Sequence, residues 1–593
     1  MIEPYNGKRE PLRLAVYDLE WIPGTYEVRL VGVRDERGFR SYPTVLDFLR
    51  GELTSKNRGK VFFAHAGGLA DVQFLLAEVI KRANPNFRVE GSWSGSSLIR
   101  CKVVQGKHAW TFADSFWLLR DSLERIGKSV GLEKLSDSWT CPEAPACGHE
   151  GKCVFYAPEA ILRTYNERDC EILWLALHRF QDEILELGGK LRQTIASTAL
   201  TLFRSAYLSR TIATDERVNE LTREAYVASR VEVFERHAGK ARGYDINSSF
   251  PHSMTHALPG ELMETRATWR GEECAIVDAT VSVEHEIPPV PIRTPAGRVF
   301  FPCGRFRRRM TGDDLHLLLE AGGRIEAVHE AWIFRPFYDL ANYVRDLYEL
   351  RRTTDDPFRK VVAKYLMNSC YGKFAEAEEK SELQINPPKR PKCKNPKACR
   401  GRCSCVEVFA PGIYKVGKVA KIAHAHVPIA AVVTAKSRAL LTRSLWAARP
   451  YYCDTDSNYT SHELEESDEL GRFKLEKEIS GGTFLSPKLY RTWPGPTIRS
   501  KGFRKLSTEE FDALAQGDGI AIRRMVRIAE NFRSGAFQPR DEEFVKHALS
   551  HLSEKELRAA GFSSRKVIRP KRCTLEDGKT RPWHVSELEG ECE

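Results

Sequence analysis

Gly243-Tyr244-Asp245-Ile246-Asn247-Ser248-Ser249-Phe250-Pro251 and Tyr451-Tyr452-Cys453-Asp454-Thr455-Asp456-Ser457 are the two stretches on which the fold is read. The first is an apolar strand that breaks into a turn, with Pro251 placed to start or precede a helix. The second has the pattern of a hairpin with two carboxylates at its tip. Three acids on two neighbouring strands supply hard oxygen ligands, which a divalent cation such as Mg²⁺ requires. The carbonyl of Ile246 is a further candidate ligand. Taken singly the acids carry little weight, because Asp-Thr-Asp-Ser is an ordinary turn sequence.

Between these stretches a helical tract over 338–352 meets a break at Thr353-Thr354-Asp355-Asp356-Pro357, and a second helix runs on through Lys364 and Asn368. Lys360, Lys364, Asn368 and Tyr371 recur on it at three- or four-residue steps. One face therefore offers two cations for a triphosphate, then an amide and a ring for sugar and base. Arg352 is a candidate further cation from the preceding helix. Residues 385–411, rich in Pro, Lys, Arg, Gly and Cys, read as an inserted loop or small subdomain. Upstream, Leu12-Arg13-Leu14-Ala15-Val16-Tyr17-Asp18-Leu19-Glu20 reads as a buried strand ending in two acids, and 61–65 reads as another leading into Gly67, Gly68 and Asp71. The pattern over 157–187 is helical, with Leu162, Tyr165, Cys170, Leu173 and Leu175 on an apolar face and Asp169 one turn after Tyr165. Strands followed by helices predict an α/β domain at this end of the chain.

A chain of 593 residues exceeds one hydrophobic core, so several domains are expected. The 91 basic residues outnumber 80 acidic ones for a net charge of +11, which suits a polyanionic partner or simply a basic soluble protein. No apolar run reaches membrane-spanning length and the start Met1-Ile2-Glu3-Pro4 has no leader pattern, so a cytoplasmic protein with no membrane partner is expected. Fifteen cysteines, an odd number, read as reduced thiols. Cys141, Cys147, His149 and Cys153 form one cluster, and Cys393, Cys399, Cys403 and Cys405 another. Each holds enough soft ligands for a tetrahedral Zn²⁺, but neither has the paired C-x-x-C spacing of common zinc modules, so bound Zn²⁺ and free thiols both stand.

The order of the motifs resembles family B DNA polymerases. Asp245-Ile246-Asn247-Ser248-Ser249-Phe250-Pro251 looks like their first polymerase motif, Lys364 to Gly372 like the second, and Tyr452 to Ser457 like the third. Lys488-Leu489-Tyr490 is similar to the Lys-x-Tyr primer-binding motif, and Lys501 follows where a further strand contact would lie. The resemblance implies that Asp245 and Asp456 are principal ligands of two Mg²⁺ or Mn²⁺ ions and that Asp454 supports the site. Phe250 stands where the family usually has Tyr, under the sugar, and Ser249 replaces an apolar residue.

The first domain resembles the family's 3′–5′ exonuclease, a two-metal hydrolase. Asp18, Glu20, Asp71 and Asp169 fill its carboxylate places and Tyr165 that of the tyrosine orienting water. Ser115-Phe116-Trp117-Leu118-Leu119 resembles its strand-binding segment, with Phe116 where Leu is usual. Ala66 and Ala70 replace an Asn and an aromatic that grip single-stranded DNA, so a competent site with a weakened hold is expected.

The resemblance extends to the protein-primed subgroup of phages, viruses and linear plasmids. It implies an α/β and α+β multidomain chain: a ribonuclease H-like exonuclease over 1–190, then a right-hand polymerase. Its palm is expected over 191–260 and 422–505, fingers over 343–377 and thumb over 506–593, with basic runs near Arg565 and Arg569. Insertions over 261–342 and 378–421 are expected to contact a terminal protein and to wrap the template. Tyr226-Val227-Ala228-Ser229 resembles the subgroup's Tyr-x-Gly/Ala linker, with Ser229 a departure and Tyr226 a DNA contact. The implied partners of a monomer are template-primer DNA, deoxynucleoside triphosphates and a terminal protein. Alternatives are a polymerase using nucleic-acid primers or none, a nuclease with a decayed polymerase half, and a noncatalytic DNA-binding scaffold.

Overall fold

The structure, a computed structural model, describes all residues except 82–86, 95–96, 136–152, 378, 393–404, 420–421, 496, 553, 560–561, 563–568 and 589–593. Cys141, Cys147, His149, Cys393, Cys399 and Cys403 lie outside the described residues, as do Arg565 and Lys566, and so does the Cys153 side chain.

The strand Leu14–Trp21 is apolar on both faces and lies inside a sheet. It pairs antiparallel with Val28–Asp35 and parallel with Val61–Ala64, which pairs parallel with His108–Asp114. One face of the sheet is covered by the long helix Glu159–Glu186, which buries Leu162, Cys170, Leu173, Leu177 and Phe180. The other is covered by the helices Val45–Glu52 and Asp71–Lys81, around a core that includes Tyr17, Phe48, Phe62 and Phe112.

This sheet does not end with the N-terminal residues. Beyond His108–Asp114 it continues through Ser97–Gln105 and Phe87–Ser94 to Glu379–Ile385, Ile413–Val419 and Val406–Ala410, ten strands among the described residues. The described strands of segment 378–421, expected as an insertion, thus extend the first sheet. At the seam Leu383 lies opposite Gly91, where an added Cβ would stand 3.2 Å from that of Leu383 and 2.9 Å from Leu98 Cδ2. Glycine allows this close approach.

The acids of the opening stretches lie on a second, antiparallel sheet in the order Phe473–Ile479, Ala241–Ile246, Ser457–Thr460, Pro450–Asp454, Val231–Val233. The helix Val427–Ala447 backs it, with Leu441 and Leu445 packed against Ile246 and Cys453. A third sheet, Leu258–Arg266, Arg324–Phe337, Ala275–Val283 and Gly304–Thr311, carries the helix Gly312–Glu320. Thr311 and Asp314 close a capping box at its start, and Asp314 also pairs with Arg438 of the backing helix at 2.7 Å.

The helices Asp339–Thr353 and Pro357–Ser369 form a hairpin. Asp356 caps the second helix through Phe358 N and Arg359 N, and Pro357 occupies its first turn. Arg179 on the long helix pairs with Asp356, and Arg359 reaches back to Glu183 and Glu186, each at 2.9 Å.

In the C-terminal part the strands Gly519–Met525 and Asp541–His547 pair, and the helix Ile528–Arg533 lies on Val406–Ala410, with the Phe409 and Phe532 rings 6.1 Å apart. Arg572 is turned inward, donating to Glu286 O at 3.0 Å and Thr580 Oγ1 at 2.9 Å. Among the described residues, no helix is long and apolar enough to cross a membrane.

Replacing Leu383 by Ala removes the fully buried side chain at the seam. The expected local cost is about 2–5 kcal/mol. Hydrogen exchange should quicken in 87–94 and 413–419 and remain slow in 14–21.

Candidate active sites

Two groups of acids stand apart. In the first, Asp18 and Glu20 alternate with Leu19 on one strand, so both side chains face the long helix and meet Asp169 there. The ligand oxygens of Asp18, Glu20 and Asp169 all lie within 4.8 Å of one another. Asp71, at the start of its helix, accepts from Leu19 N at 3.2 Å. Burial, then the nearby Asp169, push Asp18 up to about 7, and burial followed by Asp18 raises Glu20 well above the carboxylate range. Asp169 Oδ1 is buried with no hydrogen-bond partner. Crowded, desolvated carboxylates with an orphaned oxygen fit a divalent cation.

Two further residues enter this group without having been read from the sequence. Asn166 donates to Asp18 Oδ2 at 3.0 Å and to Glu20 Oε1 at 3.2 Å, tying the acids together. Gly32 leaves room for it, since a Cβ there would fall 1.7 Å from Asn166 Oδ1. Lys134 pairs with Asp169 and stands 4.9 Å from the Tyr165 ring centre. Tyr165 is half-buried beside them. Asn166 follows Tyr165 directly and was open to inspection; Lys134 sits in a loop where no spacing marks it. Ser115 Oγ is 3.1 Å from His65 Nδ1, and the Phe116 ring is exposed. Ala66 has a left-handed backbone, φ 57°.

In the second group Asp245 lies opposite Ser457, and Asp454 also pairs with Ser457, so the turn folds over the end of the neighbouring strand. Ile246 N donates to Asp456 O and Asp456 N to Asp454 O, both at 2.7 Å. Burial, then Asp456 and Glu476, push Asp245 up to about 7; burial, then Asp454, push Asp456 up to about 6. This group, too, has the charge crowding that a cation relieves. Glu476 was missed because the strand register shifts between Gly243 and Tyr244 and brings it toward the acids. Asp454 is neutralised differently, by Lys488 Nζ at 2.6 and 2.8 Å.

Lys360, Lys364 and Asn368 share the exposed face of their helix, while Phe358, Val362, Leu366 and Met367 are buried. Lys364 is close enough to Asp245 to oppose its upward shift. The Phe250 and Tyr371 rings stack at 5.0 Å and 19°. Tyr226 packs beside Tyr371. Ser249 Oγ lies 2.8 Å from Ser437 Oγ, so the serine in this apolar position is matched by a buried partner on the backing helix. Arg352 is paired with Glu349 at 2.7 Å, whereas Arg351 reaches Ser248 Oγ at 3.3 Å. Tyr490 belongs to an aromatic cluster with Tyr452, Tyr459 and Phe484, and Lys501 N donates to Lys488 O at 3.0 Å. Cys405 is half-buried.

Between the first sheet and 191–204 lies an open cavity of about 990 Å³ whose lining includes Arg100, Arg192, Arg204, Lys373 and Lys380.

Residues 159–403 match the family described as DNA polymerase type B, organellar and viral. The chain is 24% identical over 512 residues to a probable DNA polymerase of Ascobolus immersus, covering 74% of this chain and 41% of that protein. It is 24% identical over 420 residues to the DNA-directed DNA polymerase of Enterobacteria phage PRD1, covering 63% of this chain and 69% of that one. The chain spans less than half the length of the fungal relatives from Ascobolus immersus and Neurospora intermedia. Phi29 DNA polymerase superposes over its whole length on 90% of this chain with a TM-score of 0.69, at 15% identity. The fold is therefore that of a multidomain α/β polymerase. Over residues 159–403 the chain is thus similar to the DNA polymerases of type B, organellar and viral. Divalent-metal use goes with that family.

Proposed function

We propose that the chain is a DNA-directed DNA polymerase with a 3′–5′ proofreading exonuclease, which copies linear DNA by protein-primed, strand-displacing synthesis. The observation that carries the reading is the meeting of Asp245 and Asp456 beneath a helix face bearing Lys360 and Lys364, with the stacked Phe250 and Tyr371 rings beside it. Phi29 DNA polymerase, of the same fold, has been solved complexed with primer-template DNA and incoming nucleotide substrates, which supports DNA and deoxynucleoside triphosphates as partners.

In this reading Asp245, the Ile246 carbonyl and Asp456 would hold Mg²⁺, which would supply Lewis-acid activation of the primer hydroxyl and charge neutralisation on the pyrophosphate. Lys360 and Lys364 bind the triphosphate and orient it toward the acids. The Phe250 ring closes the space a 2′-hydroxyl would need, and Tyr371 stiffens it by stacking. Lys488, held on Asp454, positions the primer end, and Lys501 extends that contact along the strand. Asp18, Glu20, Asp71 and Asp169 form the exonuclease site, with Tyr165 and Lys134 orienting the attacking water. Ser115 and Phe116 hold the single strand.

The proposed layout is exonuclease 1–190, palm 191–260 and 422–505, fingers 343–377 and thumb 506–593. The insertion 261–342, a sheet with its own helix, would receive the terminal protein. The insertion 378–421 would wrap the template beside the cavity, where Arg100, Arg192 and Arg204 suit a phosphate backbone of any sequence and Lys373 and Lys380 are paired with Glu376.

Extension of a primed single-stranded circle tests the reading. Products longer than the circle are expected from the wild type and none from Asp456→Ala, while Asp18→Ala should extend normally and stop shortening primers; synthesis that survives Asp456→Ala would refute it. Ala66 offers a second test, because Asn tolerates the left-handed region better than Ala. Ala66→Asn should lower the exonuclease KM for single-stranded ends without lowering the melting temperature.

A further inference from the structure

The turn bearing Asp454 and Asp456 is held by a residue that touches neither DNA nor nucleotide in this reading. Thr455, a β-branched residue at the tip, has φ 65°, a conformation that its side chain disfavours and that the surroundings must enforce. Its N–H donates to the carbonyl of Arg230 at 2.8 Å. That bond and the one from Asp456 N to Asp454 O turn the two acids apart, Asp454 to Lys488 and Asp456 toward Asp245.

The place of the Arg230 carbonyl is in turn set by its side chain, which is fully buried. Nε donates to Glu232 at 2.7 Å, Nη2 to Pro288 O at 2.8 Å, and the guanidinium lies 4.0 Å over the Phe301 ring. Pro288 and Phe301 belong to 261–342, so the fork grips the first insertion while the carbonyl grips the catalytic turn. The linker before it is clamped likewise: Glu224 O accepts from Arg308 at 2.8 Å, Val227 O from Arg438 at 2.7 Å, and Tyr226 O from Arg293.

We propose that Arg230 is a positioning residue for the polymerase acids, anchoring the linker 223–230 to the first insertion so that its carbonyl holds Thr455 in the strained form that aims Asp456 at Asp245. The proposal rests on the polymerase reading of this site. Since the guanidinium is out of reach of solvent, a direct contact with primer, template or nucleotide does not account for any effect of its loss.

The test uses the full chain with two changes. Arg230→Lys keeps a cation opposite Glu232 and loses the fork to Pro288; Arg230→Met with Glu232→Gln removes both charges of that pair and leaves the buried Arg572 on its bonds to Glu286 O and Thr580 Oγ1. In both, kcat per titrated active site should fall by about 10–100-fold, with KM for nucleotide and for primer-template within about twofold of wild type. Hydrogen exchange in the metal-free protein should quicken in 451–460 and stay slow in 14–21. Wild-type kcat with unchanged exchange in 451–460 overturns the proposal, and so does exchange that quickens throughout the chain, which marks a general structural role. If the wild type fails to extend a primer, the polymerase reading falls, and the exchange arm still decides whether Arg230 holds the turn.

Discussion

The hydrogen bond from Ile246 N to Asp456 O, 2.7 Å long, joins two strands at the point where each ends in a carboxylate. It forces like charges together in a half-buried place, where burial raises both acids far above the ordinary range, with Asp456 adding to the rise at Asp245 and Asp454 to the rise at Asp456. A fold tolerates such crowding only where something else compensates for it. The second sheet supplies the rigidity, with five antiparallel strands in front and the buried helix Val427–Ala447 behind. Lys488 and Lys364 supply part of the opposing charge, and a divalent cation is the natural remainder.

The first group of acids repeats the same logic, and the two groups are mechanically joined. The long helix carries Tyr165 and Asp169 near its start; Arg179, Glu183 and Glu186 near its end hold the capped end of the helix bearing Lys360 and Lys364. Exposed ion pairs contribute little stability individually. Their value here is in placement, because the two helices of the hairpin share one apolar core with Leu177 and Phe180. The ten-stranded sheet makes a second link, carrying the strands Glu379–Ile385, Val406–Ala410 and Ile413–Val419 on the edge of the N-terminal strands.

Much of this was legible in the sequence because the relevant signals are local. Strand-ending acids, the 353–357 break and the spacing of Lys360, Lys364 and Asn368 each declare themselves within a few residues, and all three reappear as a strand end, a helix cap and an exposed helix face. What stayed hidden depends on contacts between distant segments. Lys134 meets Asp169 only after the chain folds back, and Glu476 approaches Asp245 through a register shift that no pattern announces. Ser249 looked anomalous alone and makes sense only beside Ser437. The pairing of Glu379–Ile385 with Phe87–Ser94 spans almost half the chain, and periodicity cannot reveal a partner.

Anomalous scattering from Mn²⁺ in crystals grown with primer-template DNA and a non-hydrolysable deoxynucleotide tests the central claim most directly. The account predicts manganese peaks bridged by Asp245 and Asp456, with the triphosphate against Lys360 and Lys364. Manganese confined to the Asp18, Glu20 and Asp169 group, with nucleotide absent from the Lys360 face, would contradict it.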